Sequence, residues 1–559
     1  MNYKWNILKS DDFLVERISK ELKVNNIISH LLVLRGISQY NEAEVFFRPK
    51  IASLHNPFLM KGMKEAVERI NLAIKKREKV LIYGDYDVDG TTSVAMMYSF
   101  LKRFLTNVGY YIPDRYEEGY GISFKGIDYA QTEGYTLILA LDCGTRDVKQ
   151  IDYASNKGID FIICDHHNTG LNIPRAVSIL NPKQNGCNYP YKELSGCGVG
   201  FKLIQGISEI KGIEFSEIAE YLDLLALSIG ADIVDMTGEN RVLAFYGLRL
   251  INKSPRTGLK SLILKSGKTG TLTMSDLLFS IAPRINAAGR IQHGKIAVEI
   301  LSEKDQQKSQ KLADEIENYN LQRREIDQSI TNEALSMIDD NRKSTVVYSK
   351  GWHKGVVGIV ASRLIEEYYK PTVVLCHEGE DLTGSARSVK GFNLYNALLE
   401  LEHLLEKFGG HKYAAGLTIK KQNLSLFIEE FEKVVSKRIT KDEMIPTINI
   451  DMQIEIDNIS SKLMRIINQF RPFGPGNRDP KFFTEISSEF VEAKFIGEKK
   501  QHLRLILHGE KQKVSSIGFN MAKRYQMIED QKKFNICYSI YENNWNGQKS
   551  VQLRIKDIQ

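Results

Sequence analysis

The chain has 559 residues, 42% hydrophobic and 26% charged, with a net charge of +7 and a sequence pI near 8.7. That is the balance of a soluble globular protein of three or four domains, mildly basic and so open to an anionic partner. The six cysteines (143, 164, 187, 197, 376 and 537) include no C-x-x-C pair, residues 1–13 lack an apolar leader core, and no apolar run is long enough to span a bilayer. A zinc ribbon, a disulfide framework, a secreted protein and a membrane protein are thereby set aside, leaving a cytoplasmic protein with reduced thiols.

Residues 1 to about 75 show helical spacing at Phe13, Ile18 and Leu22, and again at Ile27, Ile28, Leu31 and Leu32. Asn41, with Glu44 three residues on, resembles a capped helix start. No chemistry is evident there, and an N-terminal helical extension is expected.

From about 76 to 300 apolar strands alternate with helical stretches, which implies right-handed βαβ units and an α/β fold built on a mainly parallel sheet. Strands are expected at 80–83, 108–112, 137–141 and 161–164. The first runs into Asp85, Asp87 and Asp89, alternating so that extended backbone can turn all three carboxylates to one side. Gly90 then allows a turn into a helix over 92–101. The third strand delivers Asp142 before a glycine, and the fourth delivers Asp165, His166 and His167. A further apolar run over 224–231 ends at Asp232 and Asp235. Taken singly, a D-x-D-G is more often a surface turn and a lone histidine is more often structural. Four such clusters within one βαβ domain, which the doubly wound arrangement would bring to one edge, have no packing explanation. Crowded carboxylates repel one another unless a cation compensates. Mixed Asp and His ligands suit a divalent transition ion, Mn²⁺ above all, whereas Mg²⁺ prefers all-oxygen surroundings.

The motifs Asp85-Tyr-Asp-Val-Asp-Gly90, Leu141-Asp-Cys-Gly144, Asp165-His-His167 and Ala231-Asp-Ile-Val-Asp235, in this order and spacing, resemble those of the DHH phosphoesterases. The likeness is greatest to the bacterial single-strand-specific exonucleases of that family and covers most of the chain after about residue 50. It implies a DHH catalytic domain over 76–300, a connecting helix over 301–340, a DHHA1 domain over 341–445 and an OB-type β-barrel over 446–559.

The residues of each segment bear on that layout. The loop 110–124 sets Arg115 and Tyr120 among aromatics; Arg forks match phosphate and aromatic faces accept any base. It resembles the family's segment at the substrate's 5′ end. Residues 281–290 hold Arg284, Asn286 and Arg290 and resemble a segment lining the substrate path, although either arginine could cap a helix end. Residues 301–340 lack Pro and Gly and carry helical spacing; one helix of that length would reach about 60 Å. In 341–445, strands are expected at 345–348 and 372–376 around a helix at 356–369. Gly-rich loops there hold His353, Ser385, Arg387 and His411, which the resemblance places among the nucleic-acid contacts, the last three facing the metal site across a cleft. Beyond 446 the apolar period becomes two, with a hairpin turn at Asn546-Gly547. Arg504, Lys511, Lys513, Arg524 and Arg554 would make a basic barrel face, though a solvated face explains any one of them as well.

The resemblance implies phosphodiester hydrolysis by two ions, Mn²⁺ or Mg²⁺. Asp87, Asp142 and His166 would hold one ion and Asp89, Asp142 and Asp232 the other. Asp85 would be a further ligand or a catalytic base, and Asp165 and His167 would orient the ligands or touch the phosphate. The expected substrate is single-stranded DNA, degraded 5′→3′ to mononucleotides in recombination and repair. The expected enzyme is a monomer acting beside a helicase and a single-strand-binding protein. Two rivals share the fold: a phosphodiesterase for short oligonucleotides or cyclic dinucleotides, and a non-catalytic DNA-binding scaffold. The aromatic loop, long helix and barrel argue against the first, because a small substrate needs none of them. The full set of acids argues against the second.

Overall fold

The computed structural model describes residues 2–559 apart from 171, 546 and 547. The chain divides into two compact units, one comprising Ser10–Asn320 with Arg465–Asp479 and the other comprising residues up to Lys9 with Leu321–Met464 and Pro480–Gln559.

The first unit is built on a five-stranded, wholly parallel sheet: Val108–Tyr111, Val80–Gly84, Leu137–Leu141, Asp160–Cys164 and Ser178–Leu180, side by side in that order. All four expected strands are present, and Ser178–Leu180 was not foreseen. Both faces are covered, which is why these strands read as unbroken apolar runs. Val80, Ile82, Leu139, Leu141 and Ile162 face a core shared with Val94, Met97, Phe201 and Leu225. Leu81, Tyr83, Ile138, Ala140 and Ile163 face Ile127, Ala130, Ile151 and Ala154. Chain order reverses between Val80–Gly84 and Leu137–Leu141, and the crevice beyond the carboxyl ends at such a switch point is where doubly wound sheets bind ligands. Asp85, Asp87 and Asp89 follow the first of these strands and Asp142 the second.

Residues 12–76 are helical as expected, with helices Asp12–Leu22, Asn26–Val33, Tyr40–Phe47 and Met63–Lys76. The third starts earlier than Asn41. Glu42 accepts from the Ser38 and Gln39 N–H groups, so Gln39 and Glu42 form the cap in place of Asn41 and Glu44. A buried network ties this region to the helices behind the sheet. Lys202 Nζ lies 2.6 Å from Glu239 Oε1 and donates to His55 O, while Tyr189 Oη and the His55 N–H donate to Glu239. Both charges are excluded from water. Removing one partner of such a pair strands the other, at roughly 3–5 kcal/mol. Lys202→Met is therefore expected to lower stability by about that amount in equilibrium denaturation.

The connecting helix runs Gln306–Leu335, shorter than expected, and is separate from the preceding Lys295–Ser302. Asp305 caps its start by accepting from the Lys308 N–H.

In the second unit, Thr345–Ser349, Thr372–Glu378, Asp381–Arg387, Ala414–Lys420 and Leu405–Gly410 form a mixed sheet in which only the first pair is parallel. The strands expected at 345–348 and 372–376, and the helix now seen as Val357–Tyr368, are present. A second, seven-stranded sheet accounts for the C-terminal alternation, with Lys533–Trp545 pairing Gln548–Ile558. The hairpin turn expected at Asn546-Gly547 lies outside the described residues. Lys4–Ile7, expected to belong to a helical extension, is instead a strand paired with Thr447–Ile450, and Trp5 Nε1 donates to Asp557 Oδ2. Of the basic residues noted in this region, Arg524 approaches Asp557 and Arg554 lies over the Phe519 ring.

Candidate active site

The Val80–Gly84 strand ends at Asp85, and Asp87 caps the Val88–Leu101 helix by accepting from the Gly90 N–H at 3.0 Å. Gly90 is required: a Cβ there would lie 2.3 Å from Asp85 O. Asp89, in the first turn, faces the start of another helix, Gly196–Lys211. Its oxygens accept from Gly196 N at 2.7 Å, Cys197 N at 2.8 Å and Ser228 Oγ at 2.7 Å. A helix N-terminus favours a negative charge, so Asp89 is both fixed and offset by backbone dipoles. Asp142 follows its strand with φ +60°, a left-handed conformation that turns its carboxylate back toward the same point. The apolar run before Asp232 is the helix Leu222–Ala231, and Asp232 is its C-cap.

These groups converge. Ligand atoms of Asp85, Asp87 and Asp142 lie within 4.8 Å of one another, as do those of Asp89, His166 and Asp232, and those of Asp142, His166 and His167. His166 Nε2 is 3.2 Å from Asp142 Oδ1, 3.5 Å from Asp232 Oδ2 and 3.8 Å from Asp89 Oδ2. None of these is a hydrogen bond: both His166 ring nitrogens, Asp142 Oδ1 and Asp85 Oδ1 are buried without a partner. His166 is thus grouped with Asp89 and Asp232 and also with Asp142 and His167, while Asp85 joins Asp87 and Asp142.

The electrostatics match. Burial, then Asp87, pushes Asp85 well above the usual carboxylate range. Burial, then Asp89, raises Asp87, and burial, then Asp89, Asp87 and Asp232, raises Asp142. Asp232 is pushed up to about 8 by burial and by Asp89 and Asp87. Burial depresses the His166 imidazolium, which leaves the neutral ring that a metal needs. Unpartnered acceptor atoms and repelling carboxylates around a neutral histidine fit divalent cations, which would satisfy all of them at once.

Behind this set, His167 Nδ1 sits 2.7 Å from Asp165 Oδ1, and Asp165 also accepts from the Thr145, His166 and His167 N–H groups. Burial works against the charged form of each, but their mutual contact prevails: His167 is raised and Asp165 is held well below the usual carboxylate range. Tyr120 Oη donates to Asp142 O and reaches the His167 ring. Arg115 lies 3.9 Å over the Tyr86 ring with a buried, unpartnered Nε, and its charge partly offsets Asp85 and Asp87. Arg290 acts on the same Tyr86, and Tyr116 Oη donates to its carbonyl. Asn286 Oδ1 is buried and unpartnered. Arg284 is not brought to the cluster. It pairs with Glu317 at 2.6 Å and donates to Ser280 O, which is a packing role.

In the other unit, Arg387 donates to Ser385 Oγ at 2.7 Å, and burial lowers its proton affinity. No carboxylate is paired with it among the described residues, which leaves a cation and a hydroxyl for an anion. His353 is half-buried, with Nδ1 accepting from the Gly355 N–H, and burial lowers its charged form. His411 is exposed on the turn before Ala414–Lys420.

Gly196, Ser228, Tyr86 and Lys183, whose charge reaches His166 and Asp232, were not singled out from the sequence. A Cβ on Gly196 would come within 2.5 Å of Asp142 Oδ1. Gly196→Ala is expected to cut kcat/KM by about 100-fold, the effect of an ångström-scale misplacement at a reacting centre, and to cost about 1–3 kcal/mol of stability as overpacking beside buried Asp142.

A parallel sheet with this carboxylate–histidine set at its switch point defines a DHH-type protein, and the model for the DHH family, N-terminal domain, matches residues 79–229. The DHHA1 domain model matches 341–437 and the RecJ OB domain model 450–557. The single-stranded-DNA-specific exonuclease RecJ of Bacillus subtilis (strain 168) is 36% identical over 99% of this chain and 70% of its own length; that of Escherichia coli (strain K12) is 30% identical over 89% and 90%. The chain belongs to the RecJ family. The crystal structure of RecJ in complex with Mn²⁺ from Thermus thermophilus covers 100% of this chain and 79% of its own, with a TM-score of 0.86 and 25% identity. A crystal structure of exonuclease RecJ bound to manganese covers 70% of this chain and 98% of its own, with a TM-score of 0.62 and 30% identity.

Proposed function

We propose that this protein is a metal-dependent exonuclease that hydrolyses single-stranded DNA from its 5′ end to mononucleotides. The observation that carries the proposal is the convergence of Asp85, Asp87, Asp89, Asp142, His166 and Asp232, with Asp85 Oδ1, Asp142 Oδ1 and both His166 ring nitrogens buried and unpartnered. In a RecJ-family chain, that set supports Mn²⁺ or Mg²⁺ as the cofactor. Asp85, Asp87 and Asp142 would hold one ion, and Asp89, His166 and Asp232 the other. Ions bound there would lower the pKa of a water and neutralise charge at the scissile phosphate.

The protein's own groups do the rest. Asp89, fixed by the Gly196–Lys211 N-terminus and Ser228, keeps the ligand set in place before substrate arrives. Asp165 holds His167 by Nδ1 and so fixes its ring beside Asp142 and His166. Arg115, braced on Tyr86, supplies a phosphate contact, and Arg387 with Ser385 supplies another. Arg290, Asn286, Tyr120, His353 and His411 would contact the strand. Six buried free thiols are in keeping with a reducing cytoplasm. No described helix is long and apolar enough to cross a membrane. In recombination and repair the enzyme would act as a monomer beside a helicase and a single-strand-binding protein.

Two single-stranded oligonucleotides, labelled at the 5′ or the 3′ end, test the proposal in Mn²⁺ and in EDTA. Immediate release of the 5′ label as a mononucleotide, with gradual shortening of the 3′-labelled strand and no reaction in EDTA, is expected. Hydrolysis of dinucleotides alone would move the enzyme to the small-substrate phosphodiesterases.

A further inference from the structure

The helix Leu222–Ala231 ends in an unusual way. Asp232 caps it with its N–H on Ser228 O, and the next residue, Ile233, takes φ +58°. That left-handed position after a helix is ordinarily Gly or Asn, and a β-branched residue there is a genuine outlier. Packing does not compensate for it. Ala231 and Val234 pack against the main core and Met236 belongs to it, whereas Ile233 is 57% exposed.

The surroundings hold the strained residue in place. Asp235 O accepts from Tyr191 Oη and Asn240 Nδ2, and the Met236 N–H donates to Pro475 O. An aliphatic side chain kept strained and wet, one residue from a carboxylate of the site, is the pattern of a functional constraint. The chemistry beside it narrows the ligand. The atoms flanking a phosphodiester are sugar carbons, and an exposed aliphatic residue that directly follows Asp232 in the chain is suited to a sugar beside the bound phosphate.

We propose that Ile233 is an apolar contact for the deoxyribose beside the scissile phosphate and contributes to a preference for DNA over RNA. This rests on the single-strand nuclease function proposed above. A 2′-hydroxyl pressed on the aliphatic surface would lose hydration without gaining a partner, a discrimination that an apolar contact limits to about 100-fold at most.

The test uses the full-length wild type, Ile233→Asn and Ile233→Val. Each is assayed on a DNA oligonucleotide and on the same oligonucleotide with ribose at its terminal nucleotides, together with Mn²⁺ calorimetry and thermal melting. Asn accepts the left-handed backbone at less cost but removes the apolar surface. Ile233→Asn should melt at or above the wild-type temperature and bind Mn²⁺ unchanged. Its kcat/KM on DNA should fall about tenfold, and the DNA-to-ribose ratio should fall with it; Ile233→Val should keep the ratio. A ratio within twofold of wild type in Ile233→Asn would overturn the proposal. So would an equal loss on both substrates with weakened Mn²⁺ binding, which would make Ile233 a support for Asp232. A wild type inactive on DNA would overturn the nuclease function itself, and the proposal with it.

Discussion

Asp142→Ala is expected to lower cleavage of single-stranded DNA by at least about 10³-fold while leaving DNA binding measurable. Asp142 belongs to two of the three ligand groups, with Asp85 and Asp87 on one side and His166 and His167 on the other. In the proposed assignment it holds one ion with Asp85 and Asp87 and stands 3.2 Å from His166, a ligand of the other. Its Oδ1 bonds nothing in the fold, so the substitution removes no stabilising hydrogen bond at that atom. It also removes a charge that repels Asp89, Asp87 and Asp232. The metal-free variant should therefore melt no lower than the metal-free wild type. The proposed phosphate contacts are untouched by the substitution, and fluorescence anisotropy with a labelled oligonucleotide would read the binding. Turnover near the wild-type rate would refute the assignment.

In EDTA, thermal stability should fall as pH rises from 5 to 9, and Mn²⁺ should abolish the fall. The sign follows from Asp232, pushed up to about 8 in the folded protein by burial and its acidic neighbours. In the unfolded chain it titrates near 4. The folded state thus binds this proton more tightly, so the stabilisation is complete below pH 4 and is lost as pH rises through about 8. At about 1.4 kcal/mol per tenfold difference in proton affinity, the loss is on the order of 5 kcal/mol at the upper end. Asp87 and Asp142 are raised in the same direction. Calorimetric melting across this pH range, with and without Mn²⁺, is the measurement. Asp232→Asn should flatten the EDTA curve; a metal-free stability that is level or rises with pH would contradict the electrostatic picture.

The parts of this site that lie on strand ends were legible in the sequence. Asp85, Asp87 and Asp89 alternate after a short apolar run, and Asp142 and His166 follow two more. Asp232 was found as a residue but not as an element. The helix before it is buried over residues 222–230, and a helix apolar all round has no periodicity to distinguish it from a strand. Gly196 and Ser228 were invisible because they meet Asp89 across more than 100 residues of sequence, through contacts that only the packed helices define. Tyr86 was hidden inside the acidic motif, where its value as a platform for Arg115 depends on a loop some thirty residues away. Arg284 is a different case. A motif full of polar residues points to ligand binding, yet Glu317, on a later helix, claims this arginine. The strand Lys4–Ile7 was missed for the same reason as Gly196: its partner, Thr447–Ile450, lies at the far end of the chain.

The most direct test of the metal centre is isothermal calorimetry of Mn²⁺ binding to the metal-free protein and to Asp142→Ala. Two ions per chain in the wild type, and at most one weakly held ion in the variant, are predicted. No binding to the wild type, or the same stoichiometry and affinity in both proteins, would contradict a centre built on Asp142.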